Sequence, residues 1–273
     1  MSKFGALFSA IFLSFPPMAF SAIQSEPQRF QITPWAGIST IRLGGLDSFA
    51  APAVDLLRAT WRTSFGEKLV KQEIQGVNWA AMNGVDVWYH VDQLVKVGMK
   101  FGYLRTSGGY MKTTTSGPVS SHLDEWNWSS DFLILGAGAG FMLPVDKVSR
   151  FSFNLSLGTA WTTVYISHRN TWVQAGIPAF LASDARGTGT GFFPEFALDY
   201  ERDFVPGVVF GGRLGYRFGA VHEFRHAYSN TVNVVNGGEP ETLRGDTVRS
   251  ADRAALLVDY GGIYLNLAIS SRF

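Results

Sequence analysis

From residue 79 to the C-terminus, apolar and polar residues alternate with a period of two. Val85, Val87, Tyr89 and Val91 alternate with Asp86, Trp88 and His90, and Val95, Val97, Met99, Phe101 and Tyr103 with Lys96 and Lys100. Phe151, Phe153, Leu155, Leu157, Trp161 and Tyr165 oppose Ser152, Asn154, Ser156 and Thr162. Phe192, Phe196, Leu198 and Tyr200 oppose Glu195, Asp199 and Glu201, while Val208, Phe210, Leu214, Tyr216 and Phe218 oppose Arg213, Arg217 and Glu223. At the C-terminus Leu257, Ile263, Leu265, Leu267, Ile269 and Phe273 share one parity, and Tyr260, Tyr264, Asn266, Ser270 and Arg272 the other. Successive strand side chains point to opposite faces, so each segment predicts a strand with one apolar and one polar face. Two segments read less cleanly. Residues 30–43 are interrupted by Pro34, and in 127–143 the run Gly136–Gly140 leaves both faces small; there Leu133, Leu135, Phe141 and Leu143 are assigned outward.

The gaps between strands set the topology. Asp92–Gln93, Pro144–Ser149 and Arg202–Pro206 are short, whereas 44–78, 109–126, 168–190 and 225–251 are long, and the two kinds alternate strictly. This predicts eight strands at about 30–43, 79–91, 94–108, 127–143, 150–167, 191–202, 206–224 and 252–273. A tilted strand spans a bilayer with only ~9–11 residues. An even antiparallel set with short turns at one end and long loops at the other is the layout of an outer-membrane barrel. The expected fold is therefore all-β: a closed antiparallel eight-stranded transmembrane β-barrel over 30–273 with long extracellular loops. No segment after residue 22 has the uninterrupted apolar length of a transmembrane helix. Ahead of the barrel, Lys3, the apolar run Phe4–Phe15, the break at Pro16–Pro17 and the small residues of Ala19-Phe20-Ser21 predict a signal peptide over 1–21. A short periplasmic segment, 22–29, follows.

Composition narrows the function classes. Hydrophobic residues make up 46% and charged ones 16%, which excludes a disordered chain. Cysteine is absent, excluding a disulfide framework and thiolate chemistry. Without Lys3 the 23 basic residues become 22, against 22 acidic ones. A neutral chain lacks the basic face a nucleic-acid partner needs. On the assigned parity Asp86, Glu195, Asp199, Glu201 and Glu223 point inward, as do Lys96, Lys100, Arg213, Arg217 and Arg272. Eight strands leave an interior just wide enough for side chains, and charges there are costly unless paired. The expectation is a charge network that plugs the lumen, not an open conduit.

The layout, together with a last strand carrying Leu265, Leu267, Ile269 and a terminal Phe273, resembles the small bacterial outer-membrane β-barrels of the OmpA, OmpX and OmpW kind. In that group such a strand is read by the barrel-assembly machinery. Ser271 departs from the pattern, standing where a large residue is common. The resemblance implies a monomeric barrel in the bacterial outer membrane, with outer-membrane lipid, lipopolysaccharide and the assembly machinery as partners. It does not choose a task, because one fold hosts many.

Candidate chemistry is sparse. His226, Ser229 and Asn230 resemble the His-x-Ser-Asn cluster of lipid A deacylases, with one residue more between His and Ser. In a regular strand that spacing puts His226 and Ser229 on opposite faces. His122, Asp124 and Asp131 are the residue types outer-membrane proteases use, but Asp-x-Asp and Asp-x-His are both absent. His222 and His226, four apart, share one face of a strand, but no carboxylate-rich loop has calcium-loop spacing and the Gly136–Gly140 run is no dinucleotide fingerprint, so neither metal nor cofactor is expected. Trp35, Trp79, Trp126, Trp128, Tyr103, Tyr165, Tyr200 and Tyr216 lie toward strand ends, where membrane-interface aromatics belong.

Function is expected in the loops. Ala53 to Lys71 reads as a helix, weakened at Gly66, that caps the barrel mouth or lies on the outer leaflet. The stretch Thr113–Pro118 reads as a polar, mobile loop, and Trp172, Val173, Ile177 and Phe180 as an apolar loop patch. The primary expectation is a non-enzymatic structural or surface-interaction protein. The alternative is transport of a small or hydrophobic compound, which an apolar inner lining near Phe132, Ile134, Val164 and Ile166 favours. A lipid A-modifying hydrolase ranks third.

Overall fold

The computed structural model describes residues 29–41, 55, 58–233, 256 and 258–273, with backbone alone over 228–233. The signal-peptide expectation and most of the periplasmic segment lie outside these residues.

Thirteen strands are described: β1 (Phe30–Thr40), β2 (Lys68–Gln75), β3 (Trp79–His90), β4 (Val95–Thr106), β5 (Gly109–Ser116), β6 (Ser120–Pro144), β7 (Ser149–Gln174), β8 (Ile177–Val205), β9 (Val208–Arg217), β10 (Ala220–Val221), β11 (Arg225–Asn233), β12 (Val258–Asp259) and β13 (Gly262–Arg272). Eight of them pair antiparallel in a ring, β1-β3-β4-β6-β7-β8-β9-β13, and β13 returns to β1. The returning pair is zipped at its end, where Phe30 and Phe273 exchange backbone hydrogen bonds of 3.2 and 2.9 Å. Pro34 lies inside β1. The β13 ladder skips Thr33 and Pro34, while the β3 ladder runs through them, as expected of a residue with no N–H to donate.

Three short turns lie at one end of the ring, and local chemistry explains each. Asp92 Oδ1 accepts the backbone N–H of Leu94 and Val95 at 2.7 and 2.6 Å. Asp146 Oδ1 does the same for Val148 and Ser149 at 2.8 and 2.7 Å, a side-chain mimic of a backbone turn. The Val148 N–H holds the Asp146 carboxyl below the usual aspartate range. The third turn is Pro206–Gly207, with Gly207 at φ 79°; proline followed by a positive-φ glycine suits a type II turn.

At the other end β6, β7 and β8 run for 25, 26 and 29 residues, well over twice the ~9–11 that cross a bilayer. They continue beyond the ring as a sheet extension, flanked by β5 and β2 on one side and β11 on the other. The expected long loops 109–126 and 168–190 are therefore mostly strand. The stretch expected to be a mobile loop holds Thr113 and Thr115 buried in β5. Trp172 and Val173 end β7, Ile177 and Phe180 begin β8, and Ala175–Gly176 (φ 51° and 83°) turn between them. Two consecutive positive-φ residues make a type I′ hairpin, whose twist matches the flanking strands. The predicted helix is shorter than 53–71. Residues 58–65 are helical, and the helix stops where Gly66 takes φ +64°. Its N–H donates to the Arg62 carbonyl at 3.2 Å, a left-handed glycine cap.

The outward parity is apolar over the shared height of the ring. Val97, Met99, Phe101, Leu133, Phe153, Leu155, Leu157, Phe196, Leu198, Phe210, Leu214, Leu265 and Leu267 are all exposed. Three aromatics expected at the interfaces face inward instead: Trp35, Trp126 and Trp128. Each falls on the polar parity of its strand and finds interior partners.

Candidate functional site inside the ring

The interior has two layers. The one nearer the short turns is ionic. Arg213 forks onto Asp199 at 2.7 and 2.9 Å and also pairs with Asp86. Asp86 accepts the indole N–H of Trp35 at 2.8 Å. Glu195 takes the Arg217 fork at 3.0 and 2.7 Å and pairs with Lys100. Lys96 lies 3.2 Å from Glu201 and 3.8 Å from Asp199. Toward the turn end Arg150 and Arg272 both grip Glu201 and Asp203, at 2.8 to 3.2 Å. Aromatic faces carry part of the cationic charge: Trp88 beneath Lys96 at 4.8 Å, and Tyr264 beneath Lys100 and Arg217 at 5.3 Å. Such faces attract cations through the ring quadrupole.

The layer nearer the extension is apolar. Met82, Leu104, Phe132, Ile134, Ala160, Val164, Phe193, Val221, Phe224, Val258 and Tyr260 pack together, nearly all fully buried. Phe132, Ile134, Val164 and Ile166, whose apolar side chains would line a path for a hydrophobic compound, belong to this packed cluster. Glycines admit the bulk. A Cβ on Gly140 would collide with Asn154 and the Lys96 stem, and one on Gly215 with the Tyr264 ring.

Of the ten charges assigned inward from sequence, nine meet in this network. Glu223 does not. It is exposed and pairs with Arg225 at 3.3 Å. β9 ends at Arg217, the two residues of β10 follow, and residues 222–224 are irregular, so the strand parity that assigned Glu223 no longer applies. Phe224 is buried in its place. Sequence reasoning missed Arg150, Asp203 and Gln31. Arg150 shares parity with Ser152, and Asp203 with Glu201, so the signal was present. Gln31 Oε1 accepts from Arg272 at 3.3 Å and stands 3.0 Å from His90 Nε2. In the last strand Leu265, Leu267 and Phe273 are exposed and Ile269 is half-buried.

Two carboxylate–imidazole pairs sit on the inner face of the extension. Glu67, just after the helix, receives hydrogen bonds from Thr115, Ser120 and His122, the last at 2.7 Å. The His122 ring stacks on Trp61 at 4.3 Å. Asp124 faces His168 Nε2 at 2.6 Å and accepts from Trp126 Nε1 at 2.9 Å. Asp131 is not with them; it faces outward, 3.8 Å from Arg105. The trio His122, Asp124 and Asp131 is thus not assembled as a unit. Among the described residues no group of three or more His, Asp or Glu has a geometry that could hold a metal ion.

The His226–Ser229 spacing also reads differently in the fold. His226 lies opposite Gly187, Tyr228 opposite Arg186 and Ser229 opposite Ala185, with the register shifting between His226 and Tyr228. A bulge places two residues against one. It therefore cancels the odd spacing, and His226 and Ser229 occupy register positions of the same parity.

No protein-family model and no curated protein matches the chain. Among solved structures it is similar to the outer membrane protease OmpT from Escherichia coli, at 8% identity and TM-score 0.29 over 93% of this chain and 100% of that one. It is also similar to the COG4313 outer membrane channel from Pseudomonas putida F1, at 6% identity and TM-score 0.22 over 95% and 100%. A third is the transport unit of the autotransporter AIDA-I from Escherichia coli, at 9% identity and TM-score 0.21 over 98% and 97%. At these scores the likenesses carry no assignment.

Proposed function

We propose that this chain is a monomeric integral β-barrel of the bacterial outer membrane, closed by the β1–β13 pair, with a non-enzymatic structural or surface-interaction role. The observation that carries this reading is the inversion of faces. Large apolar side chains encircle the outside of the ring, while an ionic network fills part of the inside. Soluble monomers rarely expose contiguous apolar patches beyond a few hundred Å². In lipid the same belt is favourable, and a sheet without free edges is required there. On this reading the short turns face the periplasm, the extension stands outside the cell, and Leu265, Leu267, Ile269 and Phe273 form the strand that the assembly machinery reads.

Passage of a small or hydrophobic compound remains the second reading, favoured by the apolar upper layer. Its side chains are buried against one another rather than lining a path, so the plugged reading is preferred. The test is planar-bilayer recording on the refolded protein. The expected result is no steady conductance; reproducible nanosiemens-scale steps would overturn it.

A further inference from the structure

We propose that the outer face of the extension carries a binding pocket for the phosphorylated sugar headgroup of an outer-leaflet glycolipid, centred on Asn127, Ser167 and Arg186. The proposal rests on the membrane reading above and adds a specific ligand site to it.

The pocket arises from an interruption in the sheet. Along β6, β4 pairs as far as Asp131, and β5 begins at Trp128. Ser129 and Ser130 therefore lack a strand partner on that side. The Ser130 N–H is satisfied by Thr106 Oγ1 at 2.8 Å. The chain crosses the gap through Gly108–Gly109, and a Cβ on Gly109 would collide with the Trp128 indole. The result is a cavity of about 550 Å³, lined among others by Tyr110, Asn127, Ser129, Ser167, Asp184 and Arg186.

Height and chemistry define the occupant. On β6 and β7 the last exposed Leu and Trp side chains below the pocket are Leu133 and Trp161, which are register partners, and the exposed Tyr165 ring stands at the level of the pocket itself. Two residues further along each strand come Asp131 and Thr163, then Ser129 with Tyr165 and Arg186, then Asn127 with Ser167 and Asp184. Each two-residue step advances ~6.6–6.8 Å along a strand. On the membrane reading Ser129 and Asn127, two and three such steps beyond Leu133 (about 13 and 20 Å along a tilted strand), stand outside the hydrocarbon, at the level of the outer leaflet's headgroups and sugars. Its lining suits a sugar: hydroxyls from serine and tyrosine, an amide and a carboxylate offer donors and acceptors, and Tyr165 offers a ring. Arg186 adds the anion-binding group. Its guanidinium rests over Tyr165 at 5.6 Å and forms no ion pair among the described residues. A guanidinium held on a ring still presents its N–H fork to a phosphate.

The experiment uses the full chain refolded in detergent micelles. It measures binding of lipopolysaccharide, of its lipid-free phosphorylated oligosaccharide, of inorganic phosphate and of phosphatidylglycerol. Lipopolysaccharide and the free oligosaccharide are expected to bind the parent. The double variant Asn127→Ala/Arg186→Ala and the pocket-filling Ser167→Trp should weaken both by about tenfold, the scale of one lost charge-assisted hydrogen bond. Arg186→Lys, which keeps the charge, should recover part of the loss. Equal binding by parent and variants, or phosphatidylglycerol competing as well as lipopolysaccharide, would overturn the site. Insertion into lipid vesicles is scored in parallel on the same protein preparation after detergent removal. A parent that inserts but shows no pocket-dependent binding refutes the site alone, whereas a parent that fails to insert refutes the membrane reading and the site with it.

Discussion

Arg213 and Asp199 are register partners across β8 and β9, and the guanidinium closes on the carboxylate through two hydrogen bonds of 2.7 and 2.9 Å. The same guanidinium also pairs with Asp86. Removing one partner of a buried pair costs about 3–5 kcal/mol, because the other charge is left uncompensated. The two single removals should therefore differ. Asp199→Ala leaves Arg213 paired with Asp86, whereas Arg213→Met leaves both Asp199 and Asp86 without it. Urea unfolding in lipid vesicles is expected to rank Arg213→Met as the more destabilising. The reverse order would mean that Asp86 and Arg213 are not coupled as the geometry indicates.

Leu267 lies mid-strand on β13 at 74% exposure, opposite Ala36 on one neighbour and Gly212 on the other. If that face meets lipid, Leu267→Arg costs about 2–4 kcal/mol near the bilayer midplane. Inward Ser156→Ala removes one hydroxyl beside polar neighbours and should cost about 1 kcal/mol. In the same unfolding experiment Leu267→Arg should be clearly the weaker protein. Parent-like stability of Leu267→Arg would mean that β13 does not face hydrocarbon there.

What was legible in the sequence tracks where one face is apolar. In the ring the outward parity is set by lipid-like residues such as Met99, Leu155 and Leu214. A one-residue slip there would invert every side chain, so strand facing and nine of the ten interior charges could be read directly. The extension has no such contrast. Thr113 and Thr115 are buried while Lys112 and Thr114 face out, and because all four are polar the stretch shows no period-two contrast and reads as a loop. The tight turn at Ala175–Gly176 carries a weak signal, since alanine is not a residue that announces positive φ. Glu223 was misplaced because irregular backbone after Arg217 broke the parity, and the bulge beside His226 broke it again. The two acid–imidazole pairs join residues 55 and 44 positions apart, contacts that only the strand registers and the helix stop at Gly66 bring about.

Both pairs lie in the extension, away from the ionic layer of the ring. Glu67 is buried and collects hydrogen bonds from β5, β6 and His122, so Glu67→Ala strands three buried polar partners at about 1–3 kcal/mol for an unsatisfied group. None of these partners lies in the ionic layer. Limited proteolysis of Glu67→Ala in vesicles should cut faster in the extension, while the ring remains a protected fragment and the urea midpoint moves little. Loss of ring protection would show that the two parts fold as one cooperative unit.

The final prediction concerns ester hydrolysis. The bulge on β11 returns His226 and Ser229 to the same register parity, opposite Gly187 and Ala185, which removes the facing objection raised by their spacing. A working nucleophile–base pair also needs a third group to orient the imidazole. Glu223, the nearest acid in sequence, is committed to Arg225 at 3.3 Å, and both side chains are exposed to solvent, where such a pair contributes little and positions poorly. On the non-enzymatic reading, purified protein is expected to release no fatty acid from lipopolysaccharide above buffer, and Ser229→Ala to behave identically. Mass-spectrometric detection of released acyl chains checks this. Release by the parent that disappears in both Ser229→Ala and His226→Ala would replace the non-enzymatic reading with that of a lipid hydrolase. The pocket on the outer face would then be reinterpreted as the place where its substrate's headgroup docks.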